Sequence, residues 1–186
     1  AAVSKRQEKY CNPGTSVCYI EYSTTASNPI YRIAVQDKPA APFDTLLQII
    51  APASLGWVGF SWGGAMTLNP LTVAWPNGNS VVVSSRWATD RALPATYNGA
   101  TYKTLSSSTN STHWSIEVVC TGCSKWATRS LSPTSVNSFA WAWSKTAVAQ
   151  PANPASSFAI HNNVGMFSSA LTDCKVSQSV FDQYVK

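Results

Sequence analysis

The chain has 186 residues, a net charge of +5, a charged fraction of only 11% and eight tryptophans. This length suits one domain, and the abundance of neutral polar residues is typical of a secreted β protein. Two classes of function are disfavoured, because the basic residues form no dense stripe for nucleic acid and no apolar run approaches the ~20 residues that span a bilayer.

The start of the chain predicts a tail followed by a disulfide. Residues 1–10 are expected to form an N-terminal tail, and residues 11–186 a single domain. Cys11 and Cys18 flank the turn sequence Asn12-Pro13-Gly14-Thr15, which brings two short strands together. We predict that these two cysteines form a disulfide, which indicates an oxidising, extracellular compartment.

Strand patterns dominate the middle of the chain. Residues 113–118 alternate and place Trp114, Ile116 and Val118 on one face, and residues 31–35 alternate in the same way. Aromatic side chains also alternate with alanine at residues 139–143. Four further short runs are punctuated by Pro, Gly and Asn: residues 45–51, 57–62, 71–75 and 81–87. Strands of this length and spacing predict an antiparallel β-sandwich or barrel.

Polar and helical segments complete the pattern. Residues 106–109 are read as a plain polar loop. Asn110-Ser111-Thr112 is an N-glycosylation sequon, and both an occupied Asn110 and an unmodified turn stay open. After Asp173, Val176, Val180 and Tyr184 recur at a four-residue spacing, which predicts a short C-terminal helix.

The segment Cys120-Thr121-Gly122-Cys123 has three interpretations. A c-type haem attachment needs His directly after the second Cys, where this chain has Ser124. A zinc site needs a second ligand pair, and Cys11 and Cys18 have the wrong spacing for a compact one. A small structural disulfide remains, which leaves Cys174 either as a buried thiol or as a partner for a cysteine outside this sequence.

Two side chains with affinity for metals stand in loops marked by glycine or asparagine. Met66 closes the run Gly63-Gly64-Ala65-Met66, and His161 precedes Asn162-Asn163, in a chain with only two Met and two His. Thioether and imidazole form one of the few axial pairs that hold haem iron for electron transfer. The residues alone leave a second interpretation open, in which Met66 fills a gap in the core and His161 is a hydrogen-bonded loop residue.

The segments around these residues follow a distinctive order. They are Trp57-Val58-Gly59-Phe60-Ser61-Trp62-Gly63-Gly64-Ala65-Met66, Leu71-Thr72-Val73-Ala74-Trp75-Pro76-Asn77-Gly78-Asn79, Ser84-Ser85-Arg86-Trp87-Ala88-Thr89, Asn110-Ser111-Thr112-His113-Trp114, Cys120-Thr121-Gly122-Cys123-Ser124-Lys125-Trp126, Ala140-Trp141-Ala142-Trp143-Ser144 and Phe158-Ala159-Ile160-His161-Asn162-Asn163. This series closely resembles the haem b cytochrome domain of fungal cellobiose dehydrogenase and related secreted sugar dehydrogenases. The resemblance covers residues 45–167. It also implies the disulfide between Cys120 and Cys123.

The resemblance implies the cofactor and its ligands. We predict an all-β fold, an antiparallel immunoglobulin-like β-sandwich, with a haem slot between loops and a short C-terminal helix. Met66 and His161 would be the axial ligands of the iron of haem b. Trp75 and Tyr97, together with Trp87, are candidates to line or rim the slot, and Arg91 is a candidate partner for a haem propionate.

The resemblance also implies a role in electron transfer. The chain would be no enzyme by itself but one cytochrome module of a larger secreted oxidoreductase. A sugar-oxidising flavin or quinone dehydrogenase domain would donate electrons, and a copper polysaccharide monooxygenase or another one-electron acceptor would receive them. The familiar cellobiose dehydrogenase version lacks the Cys11/Cys18 pair and Cys174, and this departure leaves open whether the attached domain is a flavin dehydrogenase, a quinone dehydrogenase or none.

Two alternatives belong to other classes of protein. The spacing of His161 and Met166 resembles the ligand loop of blue-copper proteins, but that site needs a nearby Cys and a second His, whereas residues 155–160 contain no Cys and His113 lies in an alternating strand. A secreted carbohydrate-binding β-sandwich would instead use tryptophans as a flat platform for sugar. Contact with polysaccharide is also compatible with the cytochrome family.

Overall fold

The computed structural model describes residues 6–25, 28–127 and 129–186. The strands in chain order are β1 (Arg6–Cys11), β2 (Cys18–Ser23), β3 (Ile30–Gln36), β4 (Thr45–Pro52), β5 (Trp57–Ser61), β6 (Leu71–Asn77), β7 (Ser80–Trp87), β8 (Ala95–Thr96), β9 (Thr101–Thr109), β10 (His113–Thr121), β11 (Lys125–Trp126), β12 (Arg129–Ser130), β13 (Val136–Ser144), β14 (Asn163–Ala170) and β15 (Lys175–Val176). A 3-10 helix spans Thr172–Cys174 and the helix α1 spans Gln178–Tyr184. None of the helices in these ranges is long and apolar enough to cross a membrane.

The strands form two antiparallel sheets that pack face to face. The first sheet has the order β1-β2-β3-β4-β10-β9, and β15 joins it by parallel pairing with β3. The second sheet has the order β14-β13-β5-β6-β7-β8, while β11 and β12 form a separate two-stranded ribbon. The predicted all-β antiparallel sandwich with one short C-terminal helix is therefore confirmed.

Alternation along the strands places the core between the sheets. In β13, Phe139 and Trp141 are buried in the main core and Trp143 packs against it, whereas Ala140 and Ala142 point to the other side. Full burial of one large apolar side chain contributes about 1.5–3 kcal/mol, so such alternating strands have one strongly preferred orientation. The sequence pattern predicted this orientation correctly.

Four segments differ from the sequence prediction. The structure places residues 6–10 of the expected tail in β1, which pairs with β2. The polar loop predicted at residues 106–109 is wrong, because these residues belong to β9, an edge strand with mostly exposed side chains. Strand β14, which follows His161, was not predicted. The C-terminal helix begins only at Gln178, and Val176 lies in β15.

The cysteines pair as the sequence predicts. Disulfides join Cys11 to Cys18 across the first hairpin and Cys120 to Cys123 at the end of β10. Cys174 is buried and free.

The C-terminal helix docks on the first sheet through a buried carboxylate. Glu117 projects from the face of β10 opposite to Ile116 and Val118, and it is buried. The hydroxyl of Tyr184 in α1 donates a hydrogen bond to Glu117 Oε2 at 2.8 Å. The hydroxyl of Tyr19 in β2 donates to Glu117 Oε1 at 2.5 Å. These bonds connect α1 to β10 and bring Tyr19 of β2 to the same carboxylate.

Candidate functional site

The loop that carries Met66, residues 62–70, connects β5 to β6 and is held by two polar side chains. Ser61 Oγ donates a hydrogen bond to the carbonyl oxygen of Ala65 at 2.5 Å. Asn69 Nδ2 donates to the carbonyl oxygens of Ala65 at 3.1 Å and Thr67 at 2.9 Å. Asn69 is fully buried, so its hydrogen bonds fix the backbone on both sides of Met66 from the interior of the protein.

The two glycines before Met66 are required by contacts within the protein. A Cβ on Gly63 would lie 1.8 Å from Asn69 Oδ1. Gly64 has a φ of +79°, and a Cβ there would lie 2.7 Å from Cβ of Ser138. Ser138 lies on the outer face of β13, opposite to Phe139, so the loop crosses from β5 onto that face. These glycines therefore let the loop lie directly on β13.

The far end of the same loop is tied to Ala88, just after β7, and to β11. Thr67 forms a bridge with Ala88, and the amide of Leu68 donates to the carbonyl oxygen of Ala88 at 2.8 Å. The indole nitrogen of Trp126 donates to the carbonyl oxygen of Leu68 at 3.2 Å. Met66 is half-buried between these two anchors.

The loop that carries His161 connects β13 to β14 and covers the outer face of the second sheet. Trp57, Val73 and Trp75 of the sheet form a small second core with Val148 of this loop. The indole nitrogen of Trp57 donates to the carbonyl oxygen of Ala159 at 3.1 Å, and that of Trp75 donates to Pro151 at 2.8 Å. Two tryptophans of the sheet thus hold the loop by its backbone.

His161 stands at the exposed end of this loop, just before β14. The amide of the next residue, Asn162, donates to the carbonyl oxygen of Trp143 at 2.8 Å. Asn162 Oδ1 accepts hydrogen bonds from Ser144 Oγ at 3.1 Å and from the amide of Lys145 at 2.7 Å. Within the described part of the chain the imidazole itself makes no hydrogen bond, so both ring nitrogens are available to a ligand.

An exposed apolar surface lies on the outer face of β13 and β14, and we call it the outer apolar surface. Val164 pairs with Ala142 and Met166 pairs with Ala140, so these four side chains share one face. Val164 and Met166 are 53% and 57% exposed, and Ile160 in the adjacent loop is 84% exposed. Contiguous exposed apolar side chains usually mark a binding site. The Met66 loop rests on β13 and the His161 loop ends at β14, so both loops reach the strands that carry this surface.

The other predicted contacts of the cofactor lie in different surroundings. Trp75 is fully buried beneath the His161 loop and offers no free ring face. Tyr97 is half-buried and stacks on Trp87 with ring centroids 4.8 Å apart, and both pack against the main core. Arg91 is exposed in the segment between β7 and β8.

Sequence reasoning missed one residue of the site region, Arg86. It lies on the outer face of β7, is 2% exposed, and donates hydrogen bonds into the His161 loop. The run Ser84-Ser85-Arg86-Trp87 contributed to the resemblance, but nothing in its spacing reveals the distant carbonyl oxygens that the guanidinium binds.

Comparison with known proteins identifies the family. The family described as the cytochrome domain of cellobiose dehydrogenase matches residues 10–182. The pyrroloquinoline quinone-dependent pyranose dehydrogenase of Coprinopsis cinerea is 33% identical over 150 residues, which are 78% of this chain but only 20% of that protein. The crystal structure of the cytochrome b domain of pyranose dehydrogenase from Coprinopsis cinerea has a TM-score of 0.86 at 27% identity and covers 97% of this chain and 94% of its own. The cytochrome domain of Myriococcum thermophilum cellobiose dehydrogenase shares the fold, with a TM-score of 0.83, 24% identity and coverage of 97% and 96%. The chain belongs to the family of cellobiose dehydrogenase cytochrome domains.

Proposed function

We propose that this chain is an extracellular one-electron carrier that binds haem b at the outer apolar surface, with Met66 and His161 as the axial ligands. One observation carries the proposal: the loops of both residues are anchored on the outer face of the second sheet, next to exposed Val164 and Met166. Membership of a cytochrome family supports a haem as the occupant.

The residues of this surface suit a flat apolar cofactor. Ala140 pairs with Met166, is half-buried and projects only a methyl group, so a planar ring could come close to β13 there, whereas Ala142 packs against the second core. Val164 and Met166 would bury their exposed side chains against it, at about 25 cal/mol per Å² of apolar surface. Arg91 is proposed to neutralise a propionate, and Tyr97 and Trp87 to stand at the rim. Trp75 would act from beneath, by supporting the His161 loop.

The two ligands define the chemistry. A haem held here supplies reversible one-electron transfer at its iron. Met66 would offer its thioether sulfur and His161 a neutral ring nitrogen. If Met66 and His161 both held the iron, they would leave no coordination site for dioxygen, and electron exchange would be favoured over oxygen activation.

The partners follow from the family. The chain spans 20% of the length of the pyranose dehydrogenase that it matches, which suits one module of a larger protein. We propose that a sugar-oxidising flavin or quinone dehydrogenase domain reduces the haem. A copper polysaccharide monooxygenase or another one-electron acceptor would then oxidise it. The two disulfides support a secreted location.

A carbohydrate-binding module is the weaker candidate because of how the tryptophans lie. Six are buried and two, Trp87 and Trp143, are half-buried, so none offers an exposed indole face. Sugar-stacking platforms need such faces.

A visible absorption spectrum tests the proposal. Purified protein from haem-supplemented cells is expected to show a Soret band that shifts on reduction with dithionite and the spectrum of a six-coordinate low-spin haem. A blue charge-transfer band would indicate copper instead. A colourless protein that takes up no added haemin would contradict the proposal.

A further inference from the structure

Arg86 is the least exposed charged residue in the described part of the chain, at 2%. Its guanidinium group makes four hydrogen bonds: Nε donates to Ser84 Oγ at 2.6 Å, Nη1 to the carbonyl oxygen of Pro94 at 3.0 Å, and Nη2 to those of Pro154 at 2.8 Å and Ser156 at 2.6 Å. All four acceptors are neutral.

No carboxylate neutralises this cation within the described residues. The ion pairs in that part of the chain are Arg32 with Glu21 and Lys175 with Asp37. Burial lowers the pKa of Arg86, yet an arginine stays protonated at neutral pH. Buried charges in proteins are normally paired, because removing a charge from water is costly. A buried cation without a counter-charge is therefore an unusual feature that demands a reason.

The hydrogen bonds join two segments that flank the proposed haem site. Pro94 precedes β8, in the segment that carries Arg91, whereas Pro154 and Ser156 belong to the loop that ends at His161. The ring of Phe158 lies 5.1 Å from the guanidinium carbon. That ring also lies 4.9 Å from Trp57, so Arg86 holds the loop by its backbone and by a side chain only three residues before His161.

We infer that Arg86 is a positioning residue for the His161 loop and that its unneutralised charge raises the reduction potential of the haem. This inference rests on the proposed function. Ferric iron carries one more positive charge than ferrous iron, so a nearby cation favours the reduced state. The effect is strengthened because the charge is buried, away from the screening of water.

Two variants separate positioning from charge. Arg86→Lys keeps the charge but offers a compact ammonium group, which cannot match the planar fork of the guanidinium across three carbonyl oxygens. Arg86→Gln removes both the positive charge and the planar guanidinium group. Arg32→Gln is the matched control, because Arg32 is an arginine of the first sheet whose charge is already neutralised by Glu21 at 2.7 Å.

Hydrogen exchange measures the positioning role and does not depend on haem. The amides of Asn153 and Ser156 are hydrogen-bonded within the loop. Peptides covering residues 150–162 should exchange at least about tenfold faster in both Arg86 variants, since losing one hydrogen bond to a charged group shifts a local equilibrium by that factor or more. Peptides from β10 should keep their rates. Unchanged exchange at residues 150–162 would overturn the positioning role even if the chain bound no haem.

Potentiometric titration measures the charge effect. The midpoint potential should fall in Arg86→Gln, stay close to that of the parent in Arg86→Lys, and not change in Arg32→Gln. Equal shifts in the two Arg86 variants, or no shift in Arg86→Gln, would overturn the role of the charge. Failure of the proposed function would appear differently, as the absence of a Soret band in the parent protein.

Discussion

Gly64 and Ser138 lie so close together that a methyl group on Gly64 would stand 2.7 Å from Cβ of Ser138. The loop that presents Met66 therefore rests directly on β13, the strand that also supports the outer apolar surface. The position of Met66 relative to that surface depends on this contact, which only glycine permits.

Replacing Gly64 with alanine should destabilise the protein through two effects. Its φ of +79° strains an alanine by about 1–2 kcal/mol, and the overlap with Ser138 adds about 1–3 kcal/mol. Gly78→Ala is the matched control, because Gly78 has a φ of +59° but no atom within 4 Å of the place that a methyl group would take. Urea unfolding should show a larger loss of unfolding free energy for Gly64→Ala than for Gly78→Ala. Equal losses of unfolding free energy in the two variants would mean that the loop can move away from β13 without destabilising the protein.

The ligand assignment predicts different effects for the two methionines. Met66→His should retain haem and lower the midpoint potential, because a nitrogen donor stabilises ferric iron more than a thioether does. Met166→His should leave the potential nearly unchanged, because the proposal gives Met166 a packing contact with the cofactor and assigns the iron to Met66. Spectra and potentiometry of both variants decide this. The opposite pattern would identify Met166 as the ligand.

The two histidines provide a second comparison. His161→Ala should leave haem loosely bound or five-coordinate, because it removes the nitrogen ligand. His113→Ala should leave the spectrum intact, since this exposed residue lies in β10 of the first sheet and contacts Thr112 at 3.0 Å. A normal low-spin spectrum of His161→Ala would contradict the assignment.

The buried carboxylate beneath α1 predicts a loss of stability at high pH. Burial raises the pKa of Tyr184 to about 12, and it raises that of Tyr19 strongly, with the hydrogen bond to Glu117 adding to the effect. Between pH 10 and about 12 the unfolded chain releases protons that the folded chain retains, so the free energy of unfolding should fall over this range. Tyr184→Phe should weaken this dependence in denaturant titrations at pH 9, 10 and 11. An identical pH dependence in parent and variant would show that Tyr184 does not contribute.

The free cysteine should be inert in the folded protein. Burial raises the pKa of Cys174 to about 12, so the thiolate is nearly absent at neutral pH. Alkylation with iodoacetamide at pH 8 should modify Cys174 only after denaturant is added, whereas Cys11, Cys18, Cys120 and Cys123 should resist it until reduction. Rapid labelling of the native protein, or a peptide map that links Cys174 to another cysteine, would contradict this.

Electron exchange with acidic partners should slow as salt increases. The net charge of +5 steers such partners toward the chain, and this attraction is screened once the Debye length falls below about 10 Å. Stopped-flow measurement of haem oxidation from 20 to 500 mM salt should show a falling rate with an acidic acceptor and a flat rate with a neutral one. A flat or rising rate with the acidic acceptor would refute electrostatic steering.

The alternation of side chains along the sequence predicted the strands that have one buried and one exposed face. It failed for the strands whose two faces are alike. The apolar face of β10 and the aromatic face of β13 meet the core, so their patterns are clear in the sequence. Strand β9 lies at an edge with mostly exposed side chains, and its pairing with β10 shifts register between Glu117 and Val118, which breaks the two-residue period. Strand β14 carries apolar side chains on both faces, because Val164 and Met166 face outward and Phe167 faces the core.

The candidate site depended on family resemblance more than on local pattern. Met66 and His161 lie in separate loops, and no spacing rule connects them. Arg86 was missed because its partners are backbone oxygens at Pro94, Pro154 and Ser156. Every residue has a carbonyl group, so the sequence does not show which ones bind a side chain. Trp75 was predicted to line or rim the slot, and in the structure it is fully buried and its indole nitrogen holds the backbone of the His161 loop.

The strand order has a consequence for how the protein matures. Strand β4 pairs with β10 and β5 pairs with β13, so segments distant in the chain must meet before either sheet is complete. Folds dominated by such contacts form in milliseconds to seconds, which is slow for a small domain. The outer apolar surface exists only after β13 and β14 have joined β5, and an unfolded chain has nothing comparable to offer a haem. Uptake of the cofactor would therefore follow folding, and binding at a hundredfold excess over Kd would add about 2.7 kcal/mol to stability by mass action. If the chain binds haem as proposed, the supply of haem would then influence the lifetime of the folded protein.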